Sequence, residues 1–157
     1  FIERFHDHPL LVVVTAGHEL GWFGAAEFVA TNDTPVAAVV HLGASMAVEE
    51  DSPHGRVLAS TRLAATSVGG GVFESMAAAL TPANLGLGGE GSTWLGEASA
   101  FANLDVPMLS VTGAGADFHT PMDNPERSTS PAALAISADA ISGAVQHLLT
   151  SVSHAAD

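Results

Sequence analysis

The sequence predicts an α/β fold with a mostly parallel or mixed central sheet, and three observations carry that prediction. Two continuous apolar runs, Leu10 to Ala16 ("LLVVVTA") and Val36 to Leu42 ("VAAVVHL"), flank a stretch of helical spacing from Trp22 to Thr31. A third apolar run, Val106 to Thr112 ("VPMLSVT"), comes late in the chain. Continuous apolar strands separated by helices are the pattern of a sheet covered on both faces. The length agrees, since 157 residues suit one domain with its own core, and residues 1–157 are read as that single unit.

The elements follow in order. Leu10–Ala16 is β-branched at its centre and follows Pro9, so it reads as a buried parallel strand. The helix after it stops at Asn32-Asp33, and the Val36–Leu42 strand ends at Gly43. Together they predict a right-handed βαβ unit. The segment from Gly43 to Pro53 carries Glu49, Glu50 and Asp51 and reads as a solvated loop; Arg56 to Arg62 reads as a shorter strand. Gly69-Gly70-Gly71 opens a helix that runs to Leu80 and closes at Thr81-Pro82. The glycine-rich stretch "NLGLGGEGSTWLGEASAF" predicts a loop with one helical turn near Glu97 to Asn103. After the third strand, a polar loop from Gly113 to Ser130 leads to a long helix from Pro131 to Ser151, with proline in its first turn.

Composition narrows the function classes. Four arginines and no lysine face seventeen carboxylates, giving a formal net charge of −13. Such a chain repels phosphate backbones and anionic lipid, so neither nucleic acid nor a membrane is an expected partner. No uninterrupted apolar run approaches the ~20 residues that a bilayer requires. There is no cysteine, which removes disulfides and thiolate metal sites. The chain opens at Phe1 without a signal-peptide pattern, and a piece of a longer protein is the expectation.

In parallel sheets, ligands collect at the carboxyl ends of the strands. That rule selects His18-Glu19 after the first run, His41 at the end of the second, and His119 after the third. Imidazole and carboxylate are zinc donors, and a catalytic zinc takes three protein ligands with one position open. Glu19, His119 and either His41 or His18 supply such a set. His18 and Glu19 point to opposite sides of an extended chain, so His18 is expected beside the ion as a base.

The segments that carry these residues resemble a known family. "GHELGWFGAAEF" is similar to the Glu-Glu-x-Gly-Leu-x-Gly segment of the zinc exopeptidases that include bacterial leucyl aminopeptidases, glutamate carboxypeptidase and glutaminyl cyclase. "DVPMLSVTGAGADFHTPMDNPE" resembles that family's strand and following His-Thr-x-x-Asp loop. The resemblance implies a three-layer, zinc-exopeptidase-like sandwich. It also implies an aminopeptidase-type hydrolase that cleaves a peptide or small amide with a zinc-activated water, using one or two zinc ions. By position, Glu19 and His119 are implied as zinc ligands and His41 lies near the place of an aspartate ligand. His18 stands where the family keeps its general-base glutamate, and Asp123 is implied to orient the histidine loop.

Departures accompany the resemblance. The family's early histidine and bridging aspartate precede the opening strand, where this chain has almost nothing. His6-Asp7-His8 lies at the wrong end of that strand and reads instead as a helix C-terminus, where histidine suits the dipole. The usual Asp-His before the third strand is replaced around Gly96-Glu97-Ala98. The resemblance therefore covers the later part of a family domain, leaving a sheet edge to be covered by self-association or a complementary segment.

Two other readings stay open. Ser45 in "GASMA", Asp105 and His119 fall in the chain order of a serine hydrolase. A scaffold or interaction domain that has lost its chemistry is the other. Trp22, Phe23 and Trp94 line an apolar pocket or simply pack.

Overall fold

A computed structural model describes residues 2–155. Six strands form: β1 (Val39–Leu42), β2 (Glu49–Ser52), β3 (Gly55–Leu58), β4 (Arg62–Thr66), β5 (Gly86–Gly88) and β6 (Met108–Gly113). The helices are α1 (Phe23–Thr31), α2 (Gly70–Leu80), α3 (Ala98–Phe101), α4 (Pro125–Ser128) and α5 (Pro131–Ala155). Four strands make one sheet in the order β1-β6-β4-β5. β1 runs parallel to β6 and β5 parallel to β4, while β4 runs antiparallel to β6, so the sheet is mixed. β2 and β3 form a separate antiparallel hairpin.

One face of the sheet holds the core. Side chains alternate along a strand, and Ala64, Leu109 and Val111 pack against Met76 and Leu80 of α2 and against α5. The α5 stripe is Ala140, Ile141, Ala144, Val145 and Leu148, the three-and-four spacing of one helical face. Each fully buried leucine here contributes ~1.5–3 kcal/mol. Within α5, the 22 residues Pro131–Val152 are long and apolar enough, by length and composition, to cross a bilayer. Their buried stripe is spent on α2 and the sheet instead.

The opposite face is built of smaller and more polar residues. The strand registers place His41, Ser110, Ala65 and Gly88 in one row across all four strands. Thr112, Leu63 and Gly86 form the next row. α1 and α3 pack on each other, with the Phe28 and Phe101 rings 6.0 Å apart. The residue before α3, Glu97, reaches His41, so this helix pair lies over the β1 end. Toward β5 the face is open as a groove of about 460 Å³, floored by Ala65, Gly88 and Ser110 and edged by Leu63 and Leu95.

Arg62, the first residue of β4, is fully buried. Its guanidinium donates to the carbonyls of Met46 (2.7 Å), Ala59 (2.9 Å) and Ala83, and to Ser137 Oγ (3.1 Å). One side chain thus ties together the turn after β1, the turn before β4, the segment after α2 and α5. Burial pushes its pKa down, against the pull of Glu50.

Several expected elements differ. Leu10–Ala16 is not a strand of the sheet: Leu10 to Thr15 make no hydrogen bond among the described residues, and Val12 and Val14 are 66% and 92% exposed. A strand exists only where a neighbour pairs its backbone groups, and none lies alongside. The βαβ unit is consequently absent. β1 begins at Val39 because the ladder starts where Val39 N–H meets the Pro107 carbonyl. The acidic loop contains β2, and the Arg56–Arg62 strand is in fact β3, a turn and the start of β4. The helices expected at 22–31, 69–80, 97–103 and 131–151 all form, as does the strand at 106–112, with shifted ends.

Candidate functional site: a His–Glu–His cluster beside a Glu–His pair

The segment Gly17 to Gly24 positions the first two site residues. His18–Leu20 form one 3-10 turn bracketed by Gly17 and Gly21, both left-handed at φ 76 and 74, a conformation that suits residues without a Cβ. Gly24 then sits directly on the chain before the turn, its N–H donating to the Ala16 carbonyl at 3.0 Å. A Cβ on Gly24 would stand 2.6 Å from that oxygen. Gly24→Ala is therefore expected to cost ~1–3 kcal/mol and to shift the histidine resonance of His18. Urea melts and an NMR spectrum of the variant check this; an unaltered midpoint and spectrum would show that α1 is not seated on Ala16.

Glu97 is the centre of the site. His18 Nδ1 lies 2.8 Å from Glu97 Oε1, and His41 Nε2 lies 3.7 Å from Glu97 Oε2. The second distance is too long for a hydrogen bond. On the far side of its ring, His41 Nδ1 is 2.8 Å from Ser110 Oγ, its register partner on β6. His41 is only 8% exposed, whereas the His18 side chain is 52% exposed. Beside this cluster, Glu19 Oε1 lies 3.4 Å from His119 Nε2, both on exposed side chains. The two groups are joined covalently, because His18 and Glu19 are neighbours.

The electrostatics separate the two cluster histidines. The hydrogen bond that His18 donates to Glu97 raises the pKa of His18, opposed by burial and helped by the charges of Glu97 and Glu19. His41 moves the other way, because burial lowers its pKa more than Glu97 raises it. For Glu97, burial works upward, but the His18 hydrogen bond, its own backbone N–H and both histidine charges hold the carboxyl below its ordinary range. An ionised Glu97 at 2.8 Å fixes the tautomer of His18, which carries its proton on Nδ1. The His41 ring is held by its hydrogen bond with Ser110 Oγ. His18 Nε2 is left with a free lone pair on the half-exposed side, the arrangement of a base oriented by a carboxylate.

His119 is held in an unusual way. Its φ is 61, left-handed for a residue with a Cβ, and its ring stacks on Phe118 with centroids 4.0 Å apart. Conformations of this kind cost of order 1–3 kcal/mol and gather at functional sites. Asp123, implied to orient this loop, accepts instead from Ser128 Oγ at 3.2 Å, and its N–H donates to the Thr120 carbonyl.

Of the expected zinc donors, Glu19 and His119 come together and His41 goes to Glu97. Two donors each ~2.0–2.1 Å from one tetrahedral zinc stand about 3.4 Å apart, which is the Glu19–His119 separation. That pair fits two ligands of one ion. No group of three or more His, Asp or Glu side chains placed to hold one metal ion is found among the described residues.

No family model, curated protein or solved structure matches the chain.

The remaining candidates are dispersed. Ser45 follows β1 with φ 54, but no helix follows it, and Asp105 precedes β6 at the opposite end of two parallel strands. The serine triad is therefore not assembled. His6 follows the short 3-10 helix Ile2–Phe5 and bonds the Glu3 carbonyl through Nδ1 at 2.9 Å, a helix-end role. Trp22, Phe23 and Trp94 do not line the open groove, and Phe23 is exposed. Glu97 is the residue that sequence reasoning undervalued. Its signal was a carboxylate standing where the resemblance leads one to expect Asp-His.

Proposed function

We propose that the chain is a metal-dependent hydrolase of the aminopeptidase type, cleaving the amino-terminal amide bond of a peptide or small amide. The observation that carries this reading is the Glu19–His119 spacing of 3.4 Å immediately beside the His18–Glu97 dyad. Glu19 and His119 would hold zinc. When bound, the ion supplies Lewis-acid polarisation of the amide carbonyl and acidifies water. His18 Nε2 accepts a proton from the attacking water and returns it to the departing amine. Glu97 keeps that nitrogen free by holding Nδ1–H, and stabilises the ring once it is charged. Buried and lowered in pKa, His41 favours its neutral form and lies 3.7 Å from the second oxygen of Glu97.

The test is zinc content alongside chelator-sensitive cleavage of a leucyl chromogenic amide. Wild-type protein is expected to retain about one zinc and His119→Ala to lose it, with hydrolysis falling at least about 10²-fold. A zinc-free, inactive wild type sinks the proposal. That outcome favours a scaffold without catalysis, the reading supported by the lack of a gathered third donor among the described residues.

A further inference from the structure

The unpaired run Leu10–Thr15 leads straight into the site. Six residues, if fully extended, would span ~20 Å, and none of the backbone groups of Leu10–Thr15 is hydrogen-bonded among the described residues. Exposure alternates along it, with Val12, Val14 and Ala16 more open than Val13, Thr15 and Gly17. The chain continues directly into His18 and Glu19. An exposed apolar strand with free donors and acceptors is a template for another strand.

We propose that Leu10–Thr15 is a docking edge for an extended peptide, which pairs with it antiparallel and presents its amino terminus to Glu19. This rests on the hydrolase reading above, and it names the form in which the substrate is held. Charge selects the occupant and its direction. Leu10 to Gly17 carries no charge, but Asp7 precedes it and Glu19 follows it, both well exposed. In the metal-free protein, the state in which binding is measured below, antiparallel pairing sets a peptide's ammonium against the Glu19 carboxylate; parallel pairing would set its carboxylate there. Asp7 at the far end disfavours a free carboxylate, so the peptide is amidated or continues past the edge. A second copy of the chain is a poor occupant, because two chains each of net charge −13 repel one another. Backbone pairing supplies the affinity, and alternate apolar side chains of the peptide lie with Val12 and Val14.

Fluorescence anisotropy tests this with a labelled Lys-Val-Thr-Val-Thr-Val amide in the presence of chelator, where hydrolysis plays no part. Binding is expected, with at least a ten-fold loss when alternate peptide nitrogens are methylated, since that removes the ladder donors. Val14→Pro removes one donor from the protein edge at a residue that is 92% exposed and unbonded. It is expected to weaken binding at least ten-fold while leaving the circular dichroism spectrum and melting temperature unchanged. Three results overturn the inference: no binding at 1 mM peptide, equal binding of plain and methylated peptides, or a wild-type dimer that Val14→Pro converts to monomer. Peptide binding without any hydrolysis would leave the docking edge intact and sink only the hydrolase. Hydrolysis of a leucyl amide without peptide binding would do the reverse.

Discussion

Arg62→Ala is expected to lose about 3–5 kcal/mol of stability, the largest effect of any single substitution outside the apolar core. Removing the side chain strips the carbonyls of Ala59 and Ala83 of their donor in a buried setting and leaves Met46 with only its 3.2 Å bond from Ser137 Oγ. Each unsatisfied buried group costs ~1–3 kcal/mol, and a cavity of guanidinium size adds to that. Water entering the cavity offsets part of the sum. Arg62→Lys keeps the charge but cannot serve four acceptors in a planar fork, so it is expected to recover less than half of the loss. Urea melts of the three proteins measure this directly. An alanine variant within ~1 kcal/mol of wild type would show that the four segments hold together without the arginine.

Glu97→Gln is expected to lower hydrolysis by about 10²-fold or more, in line with what a positioned acid–base group contributes. It should also change how His18 titrates; a parallel shift of the activity profile is what a purely structural ion pair would not produce. In wild type, the Glu97 hydrogen bond raises the His18 pKa above its ordinary 6.5. With the amide in place, that resonance should titrate at lower pH, and the alkaline-shifted limb of the activity profile should move with it. The signs for stability follow from the same shifts. A raised histidine stabilises the fold fully below 6.5, and the contribution is lost as pH climbs through the folded value. A depressed carboxyl stabilises above its ordinary 4.5, and that contribution is lost as pH falls through the folded value. The dyad therefore supports the fold most strongly between 4.5 and 6.5. His41 opposes it there, because a lowered histidine gives up stability as pH drops below 6.5. Glu97→Gln should remove the dyad's contribution in that interval and leave the penalty from His41. An unmoved His18 titration would overturn the assignment.

The helices were legible in the sequence because each carries its own evidence: apolar spacing, proline at the start of α5, and Thr81-Pro82 at the end of α2. β6 was legible because its continuous apolar run is buried on the core side by α2 and α5. Leu10–Ala16 carries an equally strong strand signal and yet forms no ladder, since pairing depends on a neighbour and composition does not report one. β5 escaped notice for the opposite reason: "GLG" has almost no strand propensity and is held only by its register with Leu63, Ala64 and Ala65. Within the site, Glu19 and His119 were readable from their positions after apolar runs. The role of Glu97 was not, because it depends on a helix turn folding back across 79 residues of sequence to meet His18. Arg62 likewise looks like an ordinary strand-end cation until four segments close around it.

The two faces of the sheet also divide what a substitution can alter. Along β6, Leu109 and Val111 answer to α2 and α5, while Ser110 and Thr112 answer to His41 and the open groove. Neighbouring codons therefore report to different selective pressures. Drift at one parity is registered in the packing against α2 and α5, drift at the other in the His41 contact and the shape of the groove.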